Sequence, residues 1–267
     1  MSFAERYGPW AIIAGASEGT GREFARQVAE QGVNLILVAR REGPLRQLAD
    51  DICRETGVEC VTASVDLSRP DAAAHIIDAA GGRDVGLYIS NAGADTNSSS
   101  FLGKDIEAWL DLVTLNSLTP LRCCHHFGQS MQERGKGGIL LVGSGACYGS
   151  GPGLAVYSGS KAFDLCLAEG LWAELEPHGV DVLFYALGRT DTPMFRAQLA
   201  EKGLSVPPGL ADPAEVARLG LERLPLGPVA NWGLADDDAG RMGSSAAQRR
   251  QRVRMIAEST RSLFGKR

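Results

Sequence analysis

The sequence predicts an α/β fold: a doubly wound parallel sheet of about seven strands with helices on both faces, folded as a single domain over residues 1–267. Three observations predict it. Short apolar runs of strand length alternate with segments of helical period, glycines and helix-start residues fall at the junctions, and no repeat or linker divides the chain. Strands separated by helices need right-handed crossovers, hence a parallel sheet, which binds ligands at the carboxyl ends of its strands.

"WAIIAGA" is an apolar run closed by glycine, and from Gly21 the residues Phe24, Ala25, Val28 and Ala29 repeat at helical spacing up to Gly32. "VNLILVAR" reads as a second, buried strand; Leu45, Leu48 and Ile52 after Pro44 share a helix face. "VECVTASV" reads as a third strand, followed by a helix with Ser68 as N-cap and Pro70 in its first turn. "VGLYIS" is the fourth strand. A long helix after Lys104 carries Trp109, Leu112, Val113 and Leu121, and "GGILLVGS" makes a fifth strand ending at Ser144. A helix around Tyr157 runs to about Leu175, and "VDVLFYA" is the sixth strand. The period is irregular from Gly188 to Leu210. Asp212, Pro213 and Glu215 start another helix, "GPVANWG" supplies an edge strand, and a helix over about 245–264 closes the chain.

A net charge of -5 argues against general affinity for nucleic acid or acidic membranes, so any phosphate must be held by local groups. No apolar run approaches the roughly 18 residues of a membrane span, and the N-terminus lacks a basic region followed by a long apolar segment, so a cytoplasmic protein is expected. The six cysteines have no zinc-type spacing and read as reduced core thiols; no metal is expected. His125, His126 and Trp109 read as packing residues.

The first strand-to-helix turn, "GASEGTG", places Gly15, Gly19 and Gly21 where backbone can approach a pyrophosphate and a helix N-terminus offers free N–H groups. At the end of the second strand, "VARRE" sets Ala39 where NAD-preferring folds carry an acid, followed by Arg40 and Arg41, which can grip a 2′-phosphate. NADP(H) is therefore expected over NAD(H). Glu18, in the glycine loop, adds a charge of the wrong sign near that phosphate.

"VYSGSKAF" puts Tyr157 and Lys161 four residues apart, on one helix face, where an ammonium stabilises a phenolate. Ser144 ends the fifth strand, Asn116 lies in "TLNSLTP", "SNAG" follows the fourth strand and "VDLS" the third. Together these motifs resemble the short-chain dehydrogenase/reductase superfamily over essentially the whole chain, most closely its NADP-dependent hydroxysteroid dehydrogenases and ketoacyl reductases. The resemblance implies a Rossmann-like sheet. It assigns Tyr157 as general acid and base, Lys161 as its partner and a ribose ligand, Ser144 as the donor to the substrate oxygen, and Asn116 as holder of a proton-relaying water. It assigns Gly15, Ser17, Gly19, Thr20 and Gly21 to phosphate and ribose, Asp66 and Leu67 to adenine, and Asn91, Ala92 and Gly93 to the central ribose region. Gly188 lies beside the nicotinamide, and Thr192 orients its carboxamide. Leu187 and Gly188 replace the family's usual Pro-Gly, and Ser90 a usual asparagine.

The expected function is interconversion of a hydrophobic ketone and a secondary alcohol (steroid, acyl or aromatic), because Met194, Phe195, Leu199, Leu204 and Val206 make residues 188–212 an apolar lid over the cleft. The resemblance implies a homodimer or homotetramer. Two rivals are an NADP-binding regulator without catalysis and an S-x-x-K serine hydrolase built on Ser158 and Lys161; the second lacks S-D-N and K-T-G partner motifs.

Overall fold

The computed structural model describes residues 1–97, 99–232, 251, 253–256 and 258. Its seven strands are β1 (Trp10–Ala14), β2 (Asn34–Ala39), β3 (Cys60–Ser64), β4 (Val85–Ser90), β5 (Gly137–Ser144), β6 (Val180–Leu187) and β7 (Val229–Asn231). They form one parallel sheet in the order β3-β2-β1-β4-β5-β6-β7. The order reverses direction between β1 and β4, which opens a crevice above their carboxyl ends.

Both faces of the sheet are covered, so the central strands are apolar at every position, not alternately. In β1, Ala11 and Ile13 join one core with Phe24 and Val28, while Ile12 and Ala14 join the other with Ile76 and Phe127. The first core is closed by α2 (Gly19–Glu30), α3 (Glu42–Thr56) and α9 (Pro213–Arg223); the second by α4 (Ala72–Ala80), α6 (Thr119–Arg134) and α7 (Ala155–Leu175). The remaining helices are α1 (Phe3–Tyr7), α5 (Ile106–Val113) and α8 (Pro193–Glu201).

Several expectations are corrected. Helix α1 has no counterpart in the sequence reading; it is nucleated by a capping box between Ser2 and Glu5. Ser68 does not cap α4, which starts at Ala72. Its N–H and hydroxyl instead donate to the Asp66 carboxylate at 3.1 and 2.8 Å, holding 66–71 in a turn. The long helix after Lys104 is interrupted at Thr114–Leu118 by a π-helical turn that contains Asn116. Residues 188–212 are not wholly irregular, since Thr192 caps α8 by accepting from Phe195 N at 3.2 Å and Pro193 starts it.

All six cysteines are free, but only Cys123, Cys124 and Cys147 are buried; Cys53 and Cys60 are half-buried and Cys166 is exposed, on the outward face of α7. Trp109 packs as expected, whereas His125 and His126 point outward from α6. Of the expected closing helix, residues 251, 253–256 and 258 are helical; the rest of 245–264 lies outside the described residues. Among the described residues no helix is long and apolar enough to cross a membrane.

Candidate active site

A cleft of about 940 Å³ opens above the carboxyl ends of β1 to β6. Its first half is the glycine turn. Gly15 (φ +87°) and Gly19 (φ +56°) occupy left-handed backbone. A Cβ at Gly15 would lie 2.7 Å from Ala92 N, so the turn after β1 presses on the segment after β4. Asn91 Nδ2 donates to Gly15 O at 3.1 Å, and a Cβ at Gly21 would meet that amide nitrogen at 2.5 Å. Glycine is demanded here by close approach as well as by torsion. Ser17 and Thr20 line the cleft beside the start of α2, whose N-cap residue Glu18 makes no side-chain cap, leaving the first-turn N–H groups to a ligand.

Glu18 does not stand as a free charge: Arg41 Nη2 lies 2.5 Å from its carboxylate, and the pair neutralises itself. Arg40, exposed at the end of β2, also lines the cleft. Asp66 and Leu67 form the next part of the wall. Burial works to raise the Asp66 carboxyl, but its hydrogen bonds from Ser68 and the charges of Arg40 and Arg69 outweigh that and hold it below the ordinary carboxylate value.

The second half carries the hydroxyl-bearing residues Ser144 and Tyr157. Ser144 ends β5 with its Oγ accepting from Ala146 N at 3.2 Å, and Tyr157, half-buried in the first turn of α7, shares the wall with it. Asn91, Ala92, Gly93, Gly188 and Thr192 also line the cleft. Thr192 reaches the glycine turn directly, since a Cβ at Gly19 would lie 2.9 Å from its Cγ2.

Lys161, Asn116 and Gly21 do not line the cleft but stand directly behind it. Lys161 is 2% exposed, and its Nζ donates to Val142 O at 3.2 Å and to Asp164 Oδ2 at 3.3 Å. Asn116 is 1% exposed, with Nδ2 donating to Ala94 O at 3.5 Å and Oδ1 left without a partner. Gly93 brings the two together: a Cβ there would be 2.8 Å from both Asn116 Oδ1 and Lys161 Nζ. The π-helical turn is what aims Asn116 inward. Asp164 escaped the sequence reading. The available signal was an acid on the face of α7 that elsewhere carries Ala168 and Leu175 inward.

A glycine cradle at a helix N-terminus, an exposed arginine after β2 and an orphaned amide oxygen beside a buried ammonium all fit a phosphorylated nicotinamide dinucleotide. The hydrolase rival does not fit: Ser158 is 4% exposed and does not line the cleft, and Lys161 is committed to Asp164 and Val142. At the far end, Leu154, Met194, Phe195 and Ile256 give an apolar lining. Residues 188–212 leave and return through a bridge between Thr190 and Ala211, with α8 between, and Gln198 Nε2 donates to Asp95 O at 3.4 Å.

Residues 9–203 match the family model described as short chain dehydrogenase. A 7beta-hydroxysteroid dehydrogenase of Collinsella aerofaciens is 33% identical over 199 residues, covering 74% of this chain and 75% of that protein. A solved 7beta-hydroxysteroid dehydrogenase structure superposes with a TM-score of 0.84 at 29% identity, over 94% of this chain and 99% of the other. A short-chain dehydrogenase from Sphingobium yanoikuyae, solved in complex with NADPH, gives a TM-score of 0.76 at 28% identity over 96% of each chain.

Proposed function

Because the chain belongs to the short-chain dehydrogenase family, we propose that it is an NADP(H)-dependent oxidoreductase that interconverts a hydrophobic ketone and the corresponding secondary alcohol. The observation that carries this reading is that one cleft holds the glycine turn, Arg40, Ser144 and Tyr157 together, with Lys161 and Asn116 immediately behind.

The glycine turn with Ser17 and Thr20 would hold the pyrophosphate, Arg40 the 2′-phosphate, Asp66 and Leu67 the adenine, Asn91, Ala92 and Gly93 the ribose region, and Gly188 and Thr192 the nicotinamide end. The bound cofactor supplies or takes up a hydride. Arg40, which makes no ion pair within 4 Å among the described residues, whereas Arg41 is held by Glu18, is the cation available for a 2′-phosphate.

Tyr157 gives a proton to the carbonyl oxygen in reduction and takes it back in alcohol oxidation, while the Ser144 hydroxyl hydrogen-bonds the same oxygen and fixes its position. Lys161 stabilises the phenolate from behind and binds the ribose; the orphaned Asn116 Oδ1 beside it suits a water that passes protons outward. Met194, Phe195 and Ile256 favour an apolar substrate, and residues 188–212 act as its lid. The working form is a homodimer or homotetramer in this reading.

The test is a panel of hydrophobic ketones and secondary alcohols assayed with NADPH and NADH side by side. Turnover with NADPH in preference to NADH is expected; tight NADPH binding with no turnover of any carbonyl would instead favour the regulatory role.

A further inference from the structure

Asp164 has no part in the mechanism above, yet it is 3% exposed and sits one helical turn beyond Lys161 on α7. Its Oδ2 is 3.3 Å from Lys161 Nζ, and its Oδ1 is buried without a partner. A carboxylate in such a place is unfavourable unless it answers another charge. The charge it answers is Lys161. Of the three ammonium donors, one goes to Val142 O, one to Asp164, and the remaining side of Nζ faces Gly93 and Asn116, toward the cleft.

We propose that Asp164 is a positioning residue, the buried counter-ion that holds the Lys161 ammonium at the back of the site and limits how strongly that ammonium stabilises the Tyr157 phenolate. The inference rests on the proposed role of Tyr157. An isolated ammonium one turn from the phenol would favour the phenolate in full, whereas an ammonium paired with a carboxylate presents a field close to that of a neutral pair. Tyr157 lies one turn earlier on α7 itself, and among the described residues Cys124 from α6 interacts with Asp164 and Cys147 from the turn after β5 with Lys161. Burial holds both thiols up, Cys147 at about 12 and Cys124 well above its ordinary value, so neither brings a charge that would take Asp164's place.

Asp164→Asn keeps a side-chain oxygen to accept from Lys161 and removes only the charge. Ultraviolet tyrosinate absorbance is titrated on the protein without cofactor, with the Tyr157→Phe background subtracted, for wild type and for Asp164→Asn. The other four tyrosines are all pushed upward by burial, and the Tyr157→Phe subtraction removes their signal. The Tyr157 midpoint is expected to fall by about one pH unit in Asp164→Asn, with the same displacement in the pH profile of alcohol oxidation. Asp164→Ser, smaller and uncharged, makes the same measurement if the asparagine does not fold. A midpoint unmoved or raised overturns the proposal. Undiminished turnover in Tyr157→Phe would instead overturn the functional reading beneath it.

Discussion

Gly21→Ala sets two physical effects against each other, and magnitudes decide between them. Gly21 lies inside α2, where helix propensity alone favours alanine by about 1 kcal/mol. The new methyl, however, would lie 2.5 Å from Asn91 Nδ2 and 2.8 Å from the Gly15 carbonyl carbon, with its oxygen closer still. Ordinary carbon contacts begin near ~3.5 Å, so the glycine turn must retreat by about an ångström or more. The Gly15 atoms are backbone, and the Asn91 amide is pinned against them by its hydrogen bond to Gly15 O. Overpacking costs about 1–3 kcal/mol and the strained hydrogen bond about 1 more, against the 1 gained, leaving a net destabilisation of about 1–3 kcal/mol. Displacing one phosphate-facing backbone donor weakens NADPH binding about tenfold. Gly170→Ala is the control. It is the same change inside α7 with nothing within 4 Å, and is expected to raise stability by up to about 1 kcal/mol. Urea midpoints and NADPH fluorescence titration of both variants make the comparison. A Gly21→Ala protein as stable as Gly170→Ala, with unchanged NADPH affinity, refutes the close-approach reasoning.

Tyr157→Phe should bind NADPH as wild type does and lose turnover by about 100-fold or more, measured by fluorescence titration beside steady-state rates. Arg40→Ala should weaken NADPH binding about 10- to 100-fold and leave NADH nearly untouched; an equal loss for both cofactors would show that Arg40 does not read the 2′-phosphate. Asp164 also gives a pH dependence of stability. Burial, only partly offset by Lys161, pushes its carboxyl from 3.8 up to about 6, so between these values the folded chain keeps a proton that the unfolded chain has lost. Its contribution is fully present below the unfolded value and is lost as pH rises through about 6, a change of about 3 kcal/mol. The wild-type minus Asp164→Asn stability difference in urea should carry that slope from pH 4 to 7, and a flat difference contradicts it.

The glycine turn, the Tyr157–Lys161 spacing and the strand ends were legible because each is local. A tight turn, one helical period or a strand terminus is encoded within a few residues, and the parallel topology then gathers strand ends at one edge. Charges were read less well. Glu18 looked like an opponent of the phosphate and is instead the partner of Arg41, 23 residues away. Asp181 gave no sign that it receives Arg6 and Tyr7 across 175 and 174 residues. Asp164 and Asn116 are polar residues in helical runs, a pattern that ordinarily means a solvated face; burial reverses their meaning.

By itself, then, the amino-acid order determined the sheet, its sense, the glycine turn and the one-turn spacing of Tyr157 and Lys161 on α7, since short-range sterics and periodicity decide those. Tertiary structure alone decided which charges neutralise one another, which polar atoms are left unanswered, and how Asn116, Gly93 and Lys161 meet. Desolvation depends on everything packed around a group, and most of that comes from distant parts of the chain.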